Sequence, residues 1–576
     1  MNAPWMRWCA YLVIAAATLW IYRPAVYHTV RADQWFFLGY ATQEEGWWSL
    51  LGNSVSFSRI AELHPGDTEL FRPLLFVLMC SELRLFGYNF AWWQLVSIML
   101  HLAAVFWLLK LLWAMHPGGA AAILTLLFAS LHIDQPAVIW HHDGGYLLYV
   151  VFALVALYHV YCHASEGQRH PWRLWLGAAA LTAACFTYEA GTALCILCAG
   201  YLWWMRGRSS HAALHRAWPL LVLAPVVLYG AVSYIDFKFI HPVPAVTVPN
   251  ILKAFGPVRT AWGIIAVSLV YIYAALFPLL QSLDQTESVY LLPLSWSIDR
   301  SFMLDKPMVV LALSAAPVGF IGLTAMLCAV RWRRVPRSNV QGARLAGGFA
   351  LLCCGAWCAP ITLIVVGRAL SGSVMEPLKR NAYYSYLIVP FMIITAFSVC
   401  RAIGFDHLRR MLWKAWRLLL VAAMLVLVVC NGWRVYATNV QIREHYPSGN
   451  TLLAPVDNAG LRPRFEWEYF MQRGLYSFWG LHDPTAAVVF ISRAIEIIPT
   501  NAASYLCRGA VYENMICSTD ATGAVFINPH YYTNALTDFT TAFRLDPTSS
   551  EISNRLAALR GWFSDDPGES QEGNGR

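Results

Sequence analysis

Apolar runs recur from Trp8 to Val429, many of them about 20 residues and so long enough to cross a ~30 Å hydrocarbon core, with short polar connections between them. The runs are Cys9 to Tyr27, Phe90 to Trp113, Gly119 to Leu131, Leu147 to Cys162, Leu174 to Thr187, Ala190 to Met205 and Trp218 to Tyr234. Ala261 to Leu280, Met308 to Val330, Leu345 to Val366, Tyr383 to Val399 and Leu418 to Cys430 complete the series. Arg72 to Phe86 opens with Pro73, a helix-starting residue, but reaches only ~22 Å as a helix, so it is placed along the membrane surface. Basic residues mark the retained side: Arg7, then Arg206, Arg208 and Arg216, then Arg331 to Arg334, then Arg409, Arg410 and Lys414. To satisfy these markers, Ala261 to Leu280 must be re-entrant or surface-lying, which gives about 11 spans. Residues 28–71 and 132–143 then become loops on the opposite face. The expected fold is all-α: a polytopic membrane core over residues 1–433, with juxtamembrane helices and a polar C-terminal domain.

Composition supports a membrane protein. Hydrophobic residues make up 58% and charged residues 13%, against about 25% charged in an ordinary soluble domain. The net charge of +8 fits retained basic loops, and the 26 Trp and 27 Tyr fit interfacial belts. No nucleic-acid-binding pattern is present, and the cysteines, for example Cys353 and Cys354, sit inside apolar runs as small core residues. No Asn-x-Ser/Thr sequence occurs, which favours a bacterial inner membrane over the endoplasmic reticulum.

From about Arg434 the pattern changes. Ala494 to Asn501, Arg508-Gly509, Ala535 to Phe539 and Ala542 to Pro547 read as phrases of tetratricopeptide repeats, helix hairpins closed by small residues and ended by proline. The separation of Pro499 and Pro547 requires an inserted segment near Cys517 to Tyr532. Helices over Phe465 to Trp479 and Thr485 to Ile497 would begin the array, so the repeat domain is placed at 434–564, followed by a disordered tail over 565–576. Such stacked hairpins offer a surface for a protein partner.

The candidate chemistry lies on the loops. Asp33 is a lone carboxylate beside Gln34 and Trp35, and a carboxylate can deprotonate a hydroxyl. Arg72 can grip a phosphate with two parallel hydrogen bonds. Asp134 or Asp143, with His141 and His142, supplies an acidic position on the second loop, and Tyr188-Glu189 sits between two apolar runs, where a carboxylate must be paired or wet. Arg380, Tyr383 and Tyr384 stand late in the core. The plainer readings are an N-cap or solvated acid for Asp33, an interfacial anchor for Arg72, a structural ion pair for Glu189, and ordinary loop hydrogen bonding for the His141-His142-Asp143 cluster.

Asp33 after the first span, Arg72-Pro73-Leu74, Leu85 to Asn89, Gln94-Leu95-Val96, His101, Ser130-Leu131-His132, Val138 and Trp140 together resemble the GT-C superfamily of membrane glycosyltransferases. Joined to repeats, the chain is similar to the O-mannosyltransferase branch of that superfamily. The resemblance implies a polyprenyl-phosphate-linked sugar as donor, a protein or glycolipid acceptor, membrane lipids as surroundings and no nucleotide cofactor. It implies Asp33 as the catalytic aspartate, Arg72 with Arg380, Tyr383 and Tyr384 at the donor phosphate, and Asp134 or Asp143 as the second acid. Gln34 stands where the family has a second acidic residue, which weakens the case for a metal at the first loop. A divalent cation, Mg or Mn, held near Asp143 with His141 and His142 is the one cofactor these residues could take. A ligase for whole lipid-linked glycans and a non-enzymatic scaffold are the alternatives.

Overall fold

A computed structural model of the chain describes residues 4–27, 72–87, 89–139, 144–166, 170–205, 214–235, 282–283, 289–290, 340–369, 382–403, 414–445, 458–479, 483–519 and 525–561. They are almost wholly helical, with two short antiparallel ribbons, and form two compact units, one before Ala454 and one from Pro455 onward.

In the first unit, α1 spans Pro4–Tyr22, α2 Pro73–Phe86, α3 Phe90–Met115, α4 Gly119–Ser130, α5 Gln135–Ile139, α6 Gly144–Ser165, α7 Trp172–Cys185, α8 Ala190–Met205 and α9 Leu214–Ile235. Beyond them lie α10 (Val340–Ala369), α11 (Val389–Ile403) and α12 (Lys414–His445), with a 3-10 segment at Ala382–Leu387 ahead of α11. Among the described residues, five stretches are long and apolar enough to cross a membrane, and a sixth counts if the bent pair of α4 and residues 132–139 is one span. Leu418, Leu420, Val426 and Val429 on α12 are exposed, as side chains facing lipid would be. The protein is therefore a membrane protein. Local signals set several helix starts. Pro73 begins α2, and the Asn89 side chain accepts the Ala91 N–H at 3.2 Å to cap α3.

Two sequence expectations change here. Residues 132–139, expected as part of an external loop, are a helical continuation of α4 bent by 47° and buried along its length. Their polar groups are met from distant elements. Gln94 Nε2 donates to the Val138 carbonyl at 2.9 Å, Gln135 Nε2 to Asn439 Oδ1 at 2.7 Å, and the His132 N–H to Asn431 Oδ1 at 3.0 Å. These bonds offset the cost of burying polar groups. The second change is at residue 434, expected as the domain boundary: α12 runs unbroken through it to His445.

The second unit contains α13 (Asn458–Trp479), α14 (Pro484–Ile497), α15 (Ala502–Ile516), α16 (Pro529–Leu545) and α17 (Ser550–Gly561). Asp483 caps α14 through the Ala486 N–H at 2.9 Å, Asn501 caps α15 through Ser504 at 3.2 Å, and Asn528 caps α16 through His530 at 3.1 Å. The interruption expected near Cys517 to Tyr532 is a ribbon pairing Cys517–Thr519 with Val525–Ile527. α13 pairs with α14 and α15 with α16. At the α15–α16 contact a Cβ on Gly509 would lie 2.7 Å from the Phe539 ring, so only glycine lets that ring in. Arg508 grips the buried Asp538 carboxylate through two bonds of 2.8 Å. Phe539 is fully buried with Ile516, Ala535 and Leu559. Phe539→Ala is expected to remove about 3 kcal/mol, read as faster amide hydrogen exchange in α16 of the full chain. Exchange unchanged from wild type would show that the ring does not hold this pair together.

Candidate functional site

The first turn of α2 and the turn between α7 and α8 build one cluster. The Leu74 N–H donates to the Phe186 carbonyl at 3.2 Å, tying the two chain segments directly. The 186–189 turn is fixed by its own bonds. Tyr188 N–H donates to Ala184 at 2.9 Å, Gly191 N–H to Tyr188 at 2.9 Å, and the Thr187 hydroxyl to Ala183 at 2.7 Å. From this turn Glu189 receives Arg72, with Nε donating to Oε1 at 3.0 Å and Nη2 to Oε2 at 3.1 Å. The guanidinium also lies 4.4 Å from the centre of the Tyr188 ring, which meets Tyr146 of α6 edge-on at 5.4 Å. Arg72 is 14% exposed and Glu189 29%. Pair and ring together fix the arginine in one orientation and leave its Nη1 edge free of any hydrogen bond among the described residues. A guanidinium so held can still present two donors to a phosphate. Glu189 is therefore an ion-pair partner of Arg72, and Tyr146 joins the cluster without having been singled out in the sequence.

Asp134 lies elsewhere in this unit, fully buried in the bent segment. Ser385 Oγ lies 2.5 Å from Asp134 Oδ1, to which it donates, and 3.1 Å from the Ile133 carbonyl. Asp134 Oδ2 finds no hydrogen-bond partner among the described residues. Tyr22 and Tyr386 lie within electrostatic reach of the carboxyl. Tyr386 OH is 2.8 Å from His101 Nδ1, and His101 Nε2 is 3.3 Å from the Ala129 carbonyl, which makes Nε2 the protonated nitrogen. This polar thread joins α3, α4, the bent segment and the 3-10 segment. Ser385, Tyr386 and Tyr22 carried no signal in the sequence, because nothing local marks a serine or tyrosine in an apolar run as the partner of an acid far away along the chain, 251 positions in the case of Ser385.

Asp33, Asp143, His141, His142 and Arg380 lie outside the described residues. Tyr383 and Tyr384 sit in the 3-10 segment beside Ser385, with only their backbone described. The structure thus brings Arg72 and Glu189 together, and places Asp134 in the buried core rather than on an external loop. Among the described residues no group of three or more His, Cys, Asp or Glu side chains could hold a metal ion. No family model matches the chain, and no curated protein does either.

Proposed function

We propose that this protein is a membrane glycosyltransferase of the GT-C type, moving a sugar from a polyprenyl-phosphate carrier to a hydroxyl of a protein or glycolipid acceptor. The observation that carries the reading is the arginine at the head of α2, fixed by Glu189 and Tyr188 with one donor edge left over among the described residues. It directly follows the stretch that holds Asp33. Arg72, with Arg380 and the Tyr383-Tyr384 pair, holds the donor phosphate. Asp33 accepts the proton of the acceptor hydroxyl as that oxygen attacks the anomeric carbon. The bond from anomeric carbon to phosphate oxygen breaks, and the phosphate leaves as an anion stabilised by arginine, so one displacement inverts the anomeric centre. With Asp134 buried in the core, Asp143 is the second acid, and a divalent cation is not required by any step.

The remaining features fit the same picture. About 11 spans put residues 28–71 on the non-cytoplasmic side of a bacterial inner membrane. The C-terminal hairpins, read as tetratricopeptide repeats, stand on that side and present a peptide acceptor along their surface. The test is mass spectrometry of envelope proteins and glycolipids from cells with the wild-type chain, with Asp33→Asn, and without the chain. A sugar-mass addition present only with wild type is the expected result, with the Asp33→Asn protein accumulating in the membrane normally. An Asp33→Asn profile identical to wild type would refute the assignment of the base, and no difference among the three would favour the scaffold.

A further inference from the structure

A second polar cluster lies at the other end of the same helices. α6 begins beside α2, where Gly144 and Gly145 pack on Leu78 and Leu75, and Tyr146 meets the Arg72 cluster. His159 lies 13 residues further along α6, ~20 Å down the axis. α7 likewise ends at the Phe186 turn and carries Arg173 in its first turn. At this far end Lys110 of α3 stands within electrostatic reach of both Arg7 of α1 and Arg173 of α7, and His159 within reach of Lys110 and Arg173. Among the described residues the one carboxylate bonded to the group is Glu166, 2.8 Å from Arg173 Nη2. Three cations against one anion leave two positive charges in excess.

The donors are not all used. Arg7 Nε, Arg173 Nε and His159 Nδ1 are buried without a hydrogen-bond partner among the described residues, and His159 as a whole is 6% exposed. Lys110 Nζ sits 4.0 Å from the Trp107 ring centre and 4.5 Å from that of Tyr158, so rings and not carboxylates hold the ammonium. Around this end Trp5, Trp8 and Trp172 are about half exposed or more, the arrangement of an aromatic belt at headgroup depth. Unbalanced cations and unfilled donors at headgroup depth call for an anion supplied by the membrane.

We propose that this end of the helix group binds the phosphate of an anionic phospholipid headgroup, held by Arg7, Lys110 and Arg173 with His159 donating or accepting beside them. The acyl chains would run down the apolar flank of the bundle. The site is independent of the glycosyltransferase reading and stands whether or not that reading survives.

The test is thermal unfolding of the full-length protein in detergent micelles, titrated separately with phosphatidylglycerol, phosphatidylcholine and inorganic phosphate. Phosphatidylglycerol alone is expected to raise Tm in a saturable way. Lys110→Met and Arg173→Gln should each raise the half-saturating concentration about fivefold, the worth of one basic side chain near an anionic headgroup. Equal stabilisation by phosphatidylcholine would overturn the proposal, and so would an unchanged titration of the Lys110→Met/Arg173→Gln double variant. A rise with inorganic phosphate matching that with phosphatidylglycerol would replace the lipid by a free ion. If the double variant does not fold, Arg7→Gln, on the half-buried first turns of α1, gives the same readout: a titration unmoved from wild type overturns the proposal.

Discussion

Arg72→Ala is expected, on the proposed glycosyltransferase reading, to lower the rate of sugar transfer by about 10²- to 10³-fold, because it would remove a preorganised cation from the site where the leaving phosphate gains charge. The fold should survive, since Glu189 is 29% exposed and water can solvate the carboxylate left behind. Arg72→Lys should recover little of the loss. A single ammonium cannot satisfy both oxygens of Glu189 and still present two parallel donors to a phosphate. Glu189→Gln leaves the guanidinium in place with a neutral acceptor beside it, so its effect should be smaller and show chiefly as weaker donor use, because only the orientation of Arg72 is loosened. Initial transfer rates in membranes, normalised to folded protein, give this ranking. Arg72→Ala transferring at the wild-type rate would remove the arginine from the donor site.

The ranking also shows what could be read from sequence. Pro73 after Arg72 marked the helix start, and the chemistry of the arginine marked its partner as an anion. That the anion inside the protein would be Glu189 was legible only as an alternative, because the two residues are 117 positions apart. The same limit explains the bent segment. His132, Asp134 and Gln135 interrupt an apolar run and read as a loop by polarity. They are buried because Asn431, Thr438 and Asn439 of α12 and Ser385 supply partners that no local pattern announces. Those same α12 residues made the end of the last apolar run look like a domain boundary, whereas they face inward from one continuous helix. In the second unit the signals were local. Small residues, terminal prolines and Asx caps set most of the helix ends there, and the ribbon fell where the spacing of Pro499 and Pro547 required extra chain.

Gly191→Val is expected to cost about 4 kcal/mol or more and to prevent accumulation of folded protein. Gly191 is the second residue of α8, just after the 186–189 turn. A Cβ there would lie 2.5 Å from the Cys185 nitrogen, 2.6 Å from the Ala184 carbonyl carbon and 2.7 Å from the Cys185 Cα. These are backbone atoms of the last turn of α7, so no rotamer change can make room, and the α7–α8 connection itself would have to open. Opening it would pull Tyr188 and Glu189 away from Arg72, so even Gly191→Ala should lose activity along with stability. Gly200 on the same helix provides the comparison. A Cβ at Gly200 meets nothing within 4 Å, and Gly200→Ala should gain roughly 0.5–1 kcal/mol from the higher helix propensity of alanine. Thermal unfolding followed by size-exclusion chromatography in detergent separates the two. A Gly191→Val protein melting at the same temperature as Gly200→Ala would mean that the close approach of α8 to α7, and with it the fixed turn that aims Glu189, is not a feature of the folded protein.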